Sequence, residues 1–226
     1  MTSLRFGGRW LRPGKIVCVA RNYPAHAKEM AADVPPEPVF FLKPTTALLA
    51  SGGTVVLPPQ SQRVEVETEL AVILAGGGRD VPRERAIDAV LGYAVVFDIT
   101  ARDIQAEAKA KGLPWAAAKG FDTFAPISEV APASKVGDPD GLSIRLEGNG
   151  EVWQDGNTRE MVHKVPDLIH HASRVMTLQR GDVIATGTPA GVHEIRDGDA
   201  LAGTIERIGR LEARVARRPS AVVGSR

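Results

Sequence analysis

Arg63-Val64-Glu65-Val66-Glu67-Thr68-Glu69-Leu70, running at once into Ala71-Val72-Ile73-Leu74, decides how the rest of the chain is read. Acidic residues alternate with apolar or β-branched ones, the period of two that marks a β-strand. One face then carries Glu65, Glu67 and Glu69, the other Val64, Val66 and Thr68. Neighbouring carboxylates on such a face stand roughly 6.5–7 Å apart. Their repulsion grows if the strand continues into the interior, as the apolar run suggests. A hard divalent cation among them is the simplest relief, and a solvated acidic edge strand is the alternative. A second carboxylate arriving from elsewhere would tilt the balance toward the cation.

Asp98 is that carboxylate. It follows Tyr93-Ala94-Val95-Val96-Phe97, which reads as a buried strand, and sits at the strand's carboxyl end. A helix is expected over residues 101–111, stopped by Gly112, with Arg102 and Gln105 three apart on one face. Lys119 follows three alanines and precedes a glycine; it either points into a cleft or ends a helix in solvent. Upstream, residues 15–20 read as a strand holding the lone Cys18 as a buried thiol. Pro24 can open a helix on which His26 and Glu29 share a face, either as an oriented general base or as a surface ion pair. Val39-Phe40-Phe41-Leu42 is a short strand ending in Lys43, which suits an anion or a solvated strand end.

Further along, Asp80 is expected to cap a helix over residues 82–90, and residues 131–142 to form a loop. Asn149-Gly150 signals a β-hairpin between residues 143–147 and 151–154. Residues 166–176 form the best amphipathic helix, with Leu168, Ile169, Ala172, Val175 and Met176 on one face and His170 and His171 structural. The Gly/Thr/Pro turn from Thr186 to Val192 presents backbone N–H groups and hydroxyls suited to an anion.

At 226 residues, 43% hydrophobic and 24% charged, the composition is that of an ordinary globular protein. A net charge of +1 offers no field for nucleic acid and no polybasic patch for a membrane. One cysteine allows neither an intrachain disulfide nor a cysteine metal cluster. No apolar stretch is long enough to span a bilayer, and the N-terminus lacks the apolar core of a signal peptide, so a cytoplasmic protein is expected.

Five ordered motifs together resemble the fumarylacetoacetate hydrolase family: Arg21-Asn22-Tyr23 with His26 and Glu29; Phe41-Leu42-Lys43-Pro44; Glu67-Thr68-Glu69-Leu70; Asp98 to Asp103; and Thr186 to Val192. Within it the chain is most similar to the short acylpyruvase and oxaloacetate decarboxylase branch. The resemblance implies an α+β fold, a mixed β-sandwich roll with short flanking helices, assembled as a homodimer. It implies a single catalytic domain over residues 15–216, an N-terminal segment 1–14 and a C-terminal tail 217–226. It puts Mg²⁺ or Mn²⁺ on Glu67, Glu69 and Asp98, with Glu65 outside the set. His26 and Glu29 match a water-activating pair on a segment that folds over ligand. Lys119 matches a catalytic position, and Arg102, Gln105, Thr188 and Lys43 match substrate contacts.

The implied reaction is metal-dependent hydrolysis of a carbon–carbon bond in a small 2-oxo or diketo acid of the acylpyruvate type. Oxaloacetate decarboxylation and isomerisation of a 2-hydroxy-dienedioate are the enzymatic alternatives; a metal-binding protein without turnover is the non-enzymatic one. Two departures bear on the substrate: Glu65-Val66 stands where relatives often carry an aromatic residue or histidine, and the separate N-terminal domain of the longest members is not expected here.

Overall fold

A computed structural model describes residues 3–217. Its centre is an eight-stranded mixed sheet. Seven strands run in the order Val39–Lys43, Ile16–Ala20, Val183–Ala185, Thr68–Leu74, Val90–Phe97, Ala125–Ile127 and Leu48–Ala50, and the short Ala131–Pro132 strand also pairs with Val90–Phe97. Both faces of this sheet are covered, so its central strands are apolar throughout instead of alternating. Val17, Leu70 and Val72 face the larger core; Ile16, Cys18, Ala71 and Ile73 face a second one, closed by Leu4 of an N-terminal hairpin.

A five-stranded sheet packs over the larger core, in the order Glu151–Asn157, Ser143–Gly148, Ala200–Ile205, Gly209–Arg217 and Thr54–Leu57. The two sheets meet closely at Gly203, where an added Cβ would lie 2.5 Å from the Phe97 ring. A third, three-stranded sheet joins Thr100–Ala101, Val64–Val66 and His193–Ile195. Five short α-helices flank the sheets: α1 (Pro24–Glu29), α2 (Arg102–Ala110), α3 (Ala116–Lys119), α4 (Ala133–Val136) and α5 (Val165–Val175). The result is an α+β fold of mixed sheets with few short helices. No helix among the described residues is long and apolar enough to cross a membrane.

Several expectations need correction. The acidic strand is not continuous: it breaks at Glu67, so Val64–Val66 joins the three-stranded sheet and Thr68–Leu74 the central one. The break is stabilised from outside, because the Gln154 side chain accepts the Thr68 N–H at 2.9 Å. Residues 83–89 form a 3-10 helix instead of an α-helix; Pro82 takes its N-cap position, while Asp80 has φ +51° and caps nothing. The expected loop over residues 131–142 contains the Ala131–Pro132 strand and α4. On α5, Leu168, Ile169 and Ala172 are buried as expected, but Val175 is exposed at the helix end. The N-terminal segment is a hairpin with Leu4 in the core, and Arg217 belongs to a strand; the rest of the expected tail lies outside the described residues.

Candidate active site

The break at Glu67 builds the site. Across it the backbone turns, and the Asp98 N–H donates to the Glu67 carbonyl at 2.8 Å, tying the end of one central strand to the start of its neighbour. Glu67, Glu69 and Asp98 thereby converge, each offering one carboxylate oxygen within 4.8 Å of the others. All three side chains are buried. Glu65 turns away to Arg63 and Arg102 and stays outside the cluster.

Cations are built in around the triad. Arg102, at the start of α2, donates from Nε to Glu65 at 2.5 Å, from Nη1 to Gln105 Oε1 at 2.7 Å, and from Nη2 to Glu67. Lys119 Nζ reaches Asp98 Oδ2 at 2.6 Å and Glu67 Oε2 at 3.0 Å, which settles its direction in favour of the cleft. Lys43 is also buried, but not as a solvated strand end. Its Nζ donates to the carbonyls of Ile99 (2.8 Å), Lys119 (2.7 Å) and Phe124 (2.9 Å), which spends its three protons. Asp98 Oδ1 stands 2.8 Å from that Nζ as an ion pair, yet accepts no hydrogen bond. Lys43 therefore supports Asp98 from behind and is not among the residues lining the cleft.

Glu69 is treated differently. Among the described residues its only hydrogen bond is from the Gly187 N–H at 2.8 Å, and no cation pairs with it. Burial, with Asp98 and Glu67 adding to it, pushes its carboxyl well above the ordinary range. Burial pushes Glu67 up as well, but Lys119 and Arg102 outweigh it and hold Glu67 below that range. Burial lowers Lys119, and its two carboxylate partners more than restore it. A buried carboxylate without a cation is costly in a protein interior. A hard divalent cation relieves it through an all-oxygen donor set, so the triad fits Mg²⁺ or Mn²⁺.

A cleft of about 350 Å³ opens over the triad. His26 of α1 and the Gly187–Thr188 turn line it, together with Arg102, Gln105 and Lys119. His26 Nδ1 lies 3.3 Å from Glu29 Oε2, and Glu29 in turn accepts the Gly191 N–H at 3.2 Å. The expected pair is thus formed and anchored to the same turn that holds Glu69. Thr188 lines the cleft, but its hydroxyl proton goes to the Thr68 carbonyl (2.8 Å), and it accepts from Gln154 Nε2 (2.9 Å). The turn's backbone N–H groups serve a carboxylate as expected, though an internal one.

Of four further residues at the site, Arg21 and Asn22 belong to a motif of the resemblance but were given no role, and Gln154 and Lys109 carry no local signal in the sequence. Gln154 fastens the strand break to Thr188 and the Pro189 carbonyl. Asn22 donates to His163 O and Thr186 O and accepts the His163 N–H, locking the chain just before α1. Arg21 and Lys109 also line the cleft. A glutamine in a hairpin strand or a lysine on a helix looks like a surface residue until the sheets are stacked.

Residues 15–216 match the family model "Fumarylacetoacetate (FAA) hydrolase C-terminal". A mitochondrial oxaloacetate tautomerase of Arabidopsis thaliana is 50% identical over 204 residues, covering 90% of this chain and 92% of that protein. A mitochondrial oxaloacetate decarboxylase of Dictyostelium discoideum is 44% identical over 193 residues, covering 85% and 88%. Among solved structures, fumarylpyruvate hydrolase from Pseudomonas aeruginosa in complex with Mn²⁺ and pyruvate superposes with a TM-score of 0.91, at 37% identity and 96% coverage of each chain. With its matched domain, its acidic triad and its sheet architecture in agreement, this chain belongs to the fumarylacetoacetate hydrolase family of metal-dependent enzymes.

Proposed function

We propose that the chain is a divalent-metal-dependent hydrolase that cleaves the C3–C4 bond of an acylpyruvate-type 2,4-diketo acid. The observation that carries this reading is the His26–Glu29 pair, 3.3 Å apart and facing a cleft floored by three carboxylates. Glu67, Glu69 and Asp98 would hold Mg²⁺ or Mn²⁺, which when bound supplies Lewis acidity to a 2-oxo acid.

The chain's own residues then divide the work. Glu29 holds the Nδ1 side of the His26 ring, leaving Nε2 to take a proton from water. The hydroxide so formed adds to the C4 carbonyl. Lys119 has one N–H left after its two carboxylate bonds and would donate it to the oxyanion. Collapse breaks the C3–C4 bond, releasing a carboxylic acid and leaving the electron pair on the pyruvate fragment, which is protonated at C3. Arg102 keeps two N–H groups free of protein partners, and the Gln105 amide keeps its NH₂; both suit the substrate's carboxylate.

A second reading is favoured by the names of the relatives at 44–50% identity: proton movement at C3 of oxaloacetate, or loss of its CO₂. It needs the same floor of carboxylates but no attacking water. A rate panel with Mg²⁺ and Mn²⁺ separates the two. Acylpyruvate hydrolysis appears as loss of diketone absorbance with release of pyruvate, tautomerisation as a spectral change without fragments, and decarboxylation as CO₂. Oxaloacetate turnover with inert acetylpyruvate and fumarylpyruvate would replace the first reading by the second. A homodimer is proposed as the working assembly on the family resemblance alone, and a monomer in sedimentation at micromolar concentration would reject it.

A further inference from the structure

We propose that Gln154 is a positioning residue that couples the carboxylate floor to the His26–Glu29 pair, holding both in register from behind the cleft. The proposal rests on the reading of the triad as a metal site and of the pair as a base, and names what keeps the two aligned.

The first support is a closed ring of hydrogen bonds around Thr68, the residue between Glu67 and Glu69. Gln154 Oε1 accepts the Thr68 N–H at 2.9 Å, and the Thr188 hydroxyl donates to the Thr68 carbonyl at 2.8 Å. Gln154 Nε2 closes the ring by donating to Thr188 Oγ1 at 2.9 Å, and its second proton goes to the Pro189 carbonyl at 2.9 Å. The side chain is buried and both amide protons are spent inside the protein, so it has no donor left for a ligand. Among the described residues Thr188 lines the cleft and Gln154 does not, so Gln154 acts through its neighbours.

The second support is what else the turn at Thr188 and Pro189 holds. At one end the Gly187 N–H donates to Glu69 at 2.8 Å; at the other the Gly191 N–H donates to Glu29 at 3.2 Å. A single turn thus touches a carboxylate of the triad and the partner of His26. The strand that carries Gln154, Glu151–Asn157, lies at the edge of the five-stranded sheet and is shaped to this turn. An added Cβ on Gly156 would lie 2.7 Å from Pro189 Cβ, so only glycine lets the two backbones approach. Trp153 stacks on His193 with ring centroids 4.0 Å apart, and His193–Ile195 pairs with Val64–Val66, the strand just before the break. The hairpin strand therefore grips the chain on both sides of the turn. Loss of the Gln154 amide leaves the buried Thr68 N–H without its acceptor and releases the turn on which Glu69 and Glu29 both lean.

The test combines Mn²⁺ titration calorimetry with steady-state kinetics on acetylpyruvate and oxaloacetate at saturating Mn²⁺. Each variant is measured at a temperature where circular dichroism shows it folded. Gln154→Met keeps the length of the side chain and none of its hydrogen bonds. It should weaken Mn²⁺ binding and lower kcat by about tenfold or more each, as loss of a group that orients metal ligands does. KM should move by less than about threefold, because Arg102 and Gln105 stand on α2, which shares no hydrogen bond with Gln154 among the described residues. Gln154→Asn, too short to reach both sides of the ring, should act in the same direction, and it decides if the methionine variant fails to fold. Folded variants with Mn²⁺ affinity and kcat within about twofold of the unaltered chain reduce Gln154 to a stability role and overturn the proposal. A change in only one of the two overturns the coupling, and a raised KM with unchanged kcat overturns it by placing Gln154 in substrate binding. Mn²⁺ binding without turnover of either acid by the unaltered chain overturns the reaction reading alone, and Gln154 is then judged on Mn²⁺ affinity. No Mn²⁺ binding by the unaltered chain overturns the metal reading and the proposal with it.

Discussion

Glu67 and Glu69 stand two residues apart, yet their surroundings give them opposite roles. Glu67 is neutralised by Lys119 and Arg102, whereas among the described residues Glu69 has one backbone N–H and no cation. Replacing each by its neutral isostere should therefore shift stability in opposite directions. Glu69→Gln replaces a buried carboxyl, whose ionised form burial and its acidic neighbours disfavour, by a permanently neutral amide and should raise the stability of the metal-free chain by about 1–2 kcal/mol. Glu67→Gln takes from buried Arg102 and Lys119 one of the two carboxylates each contacts, leaving Glu65 and Asp98, and should cost about 1–3 kcal/mol. Both should lose Mn²⁺ affinity sharply in titration calorimetry. An unstable Glu69→Gln that still binds metal normally would remove Glu69 from the triad. His26→Ala belongs to the same scale: kcat should fall roughly 10²–10⁴-fold with metal affinity unchanged. Unchanged turnover would reject the water-activating role. The triad residues were legible as a pattern of charges, but which one goes unpaired was not. That depends on where Lys119 and Arg102 point, and their partners lie 35 and 52 positions away.

Turns and helix ends carry the next set of consequences. Gly191 has φ +95°, and a Cβ there would come within 2.3 Å of the Trp153 carbonyl. Gly191→Ala should therefore destabilise by about 1–3 kcal/mol in denaturant titration. Because Gly191 also donates to Glu29, turnover should fall further than stability alone explains. A second element-level contact is electrostatic. Asp103, in the first turn of α2, accepts from Ser61 Oγ at 2.6 Å and the Gln62 N–H at 2.8 Å, clamping the helix to the loop before the acidic strand. Burial works against its ionised form, but these bonds outweigh it and hold the carboxyl below its ordinary value. A depressed folded-state pKa stabilises above the unfolded value of about 3.9 and is lost as pH falls through the folded value. Asp103→Ala should thus destabilise near pH 7, and the gap to the unaltered chain should close below about pH 4. A gap that persists into acid would mean the loss is one of packing, not charge. At this scale α1, α2, α5 and the Asn149-Gly150 hairpin were readable from caps, prolines and periodicity. The break at Glu67 was not, because the group that satisfies the freed Thr68 N–H comes from Gln154 in a different sheet.

Across the whole molecule the triad is a point where two sheets and two helices meet, so a ligand there should reinforce the entire fold. Mn²⁺ at about 100 times its Kd should add about 2.7 kcal/mol, raising Tm by several degrees, and a chelator should reverse the shift. No shift in Tm at saturating Mn²⁺ or Mg²⁺ would contradict the proposed metal site. By itself the sequence determined the buried central run from Ala71 to Leu74, the acidic motif with Asp98 as its distant complement, and, through five ordered motifs, the resemblance that implied the family and its α+β fold. The first two are written in local periodicity and residue type, the last in the order of motifs along the chain. Only the tertiary structure decided that the acidic strand divides between two sheets, that Lys43 braces Asp98 from behind, and that Arg21 and Lys109 line the cleft over the acidic triad. The reason is physical: a charge's role is set by what lies within a few ångströms of it, and in a fold of stacked sheets those neighbours come from far along the chain.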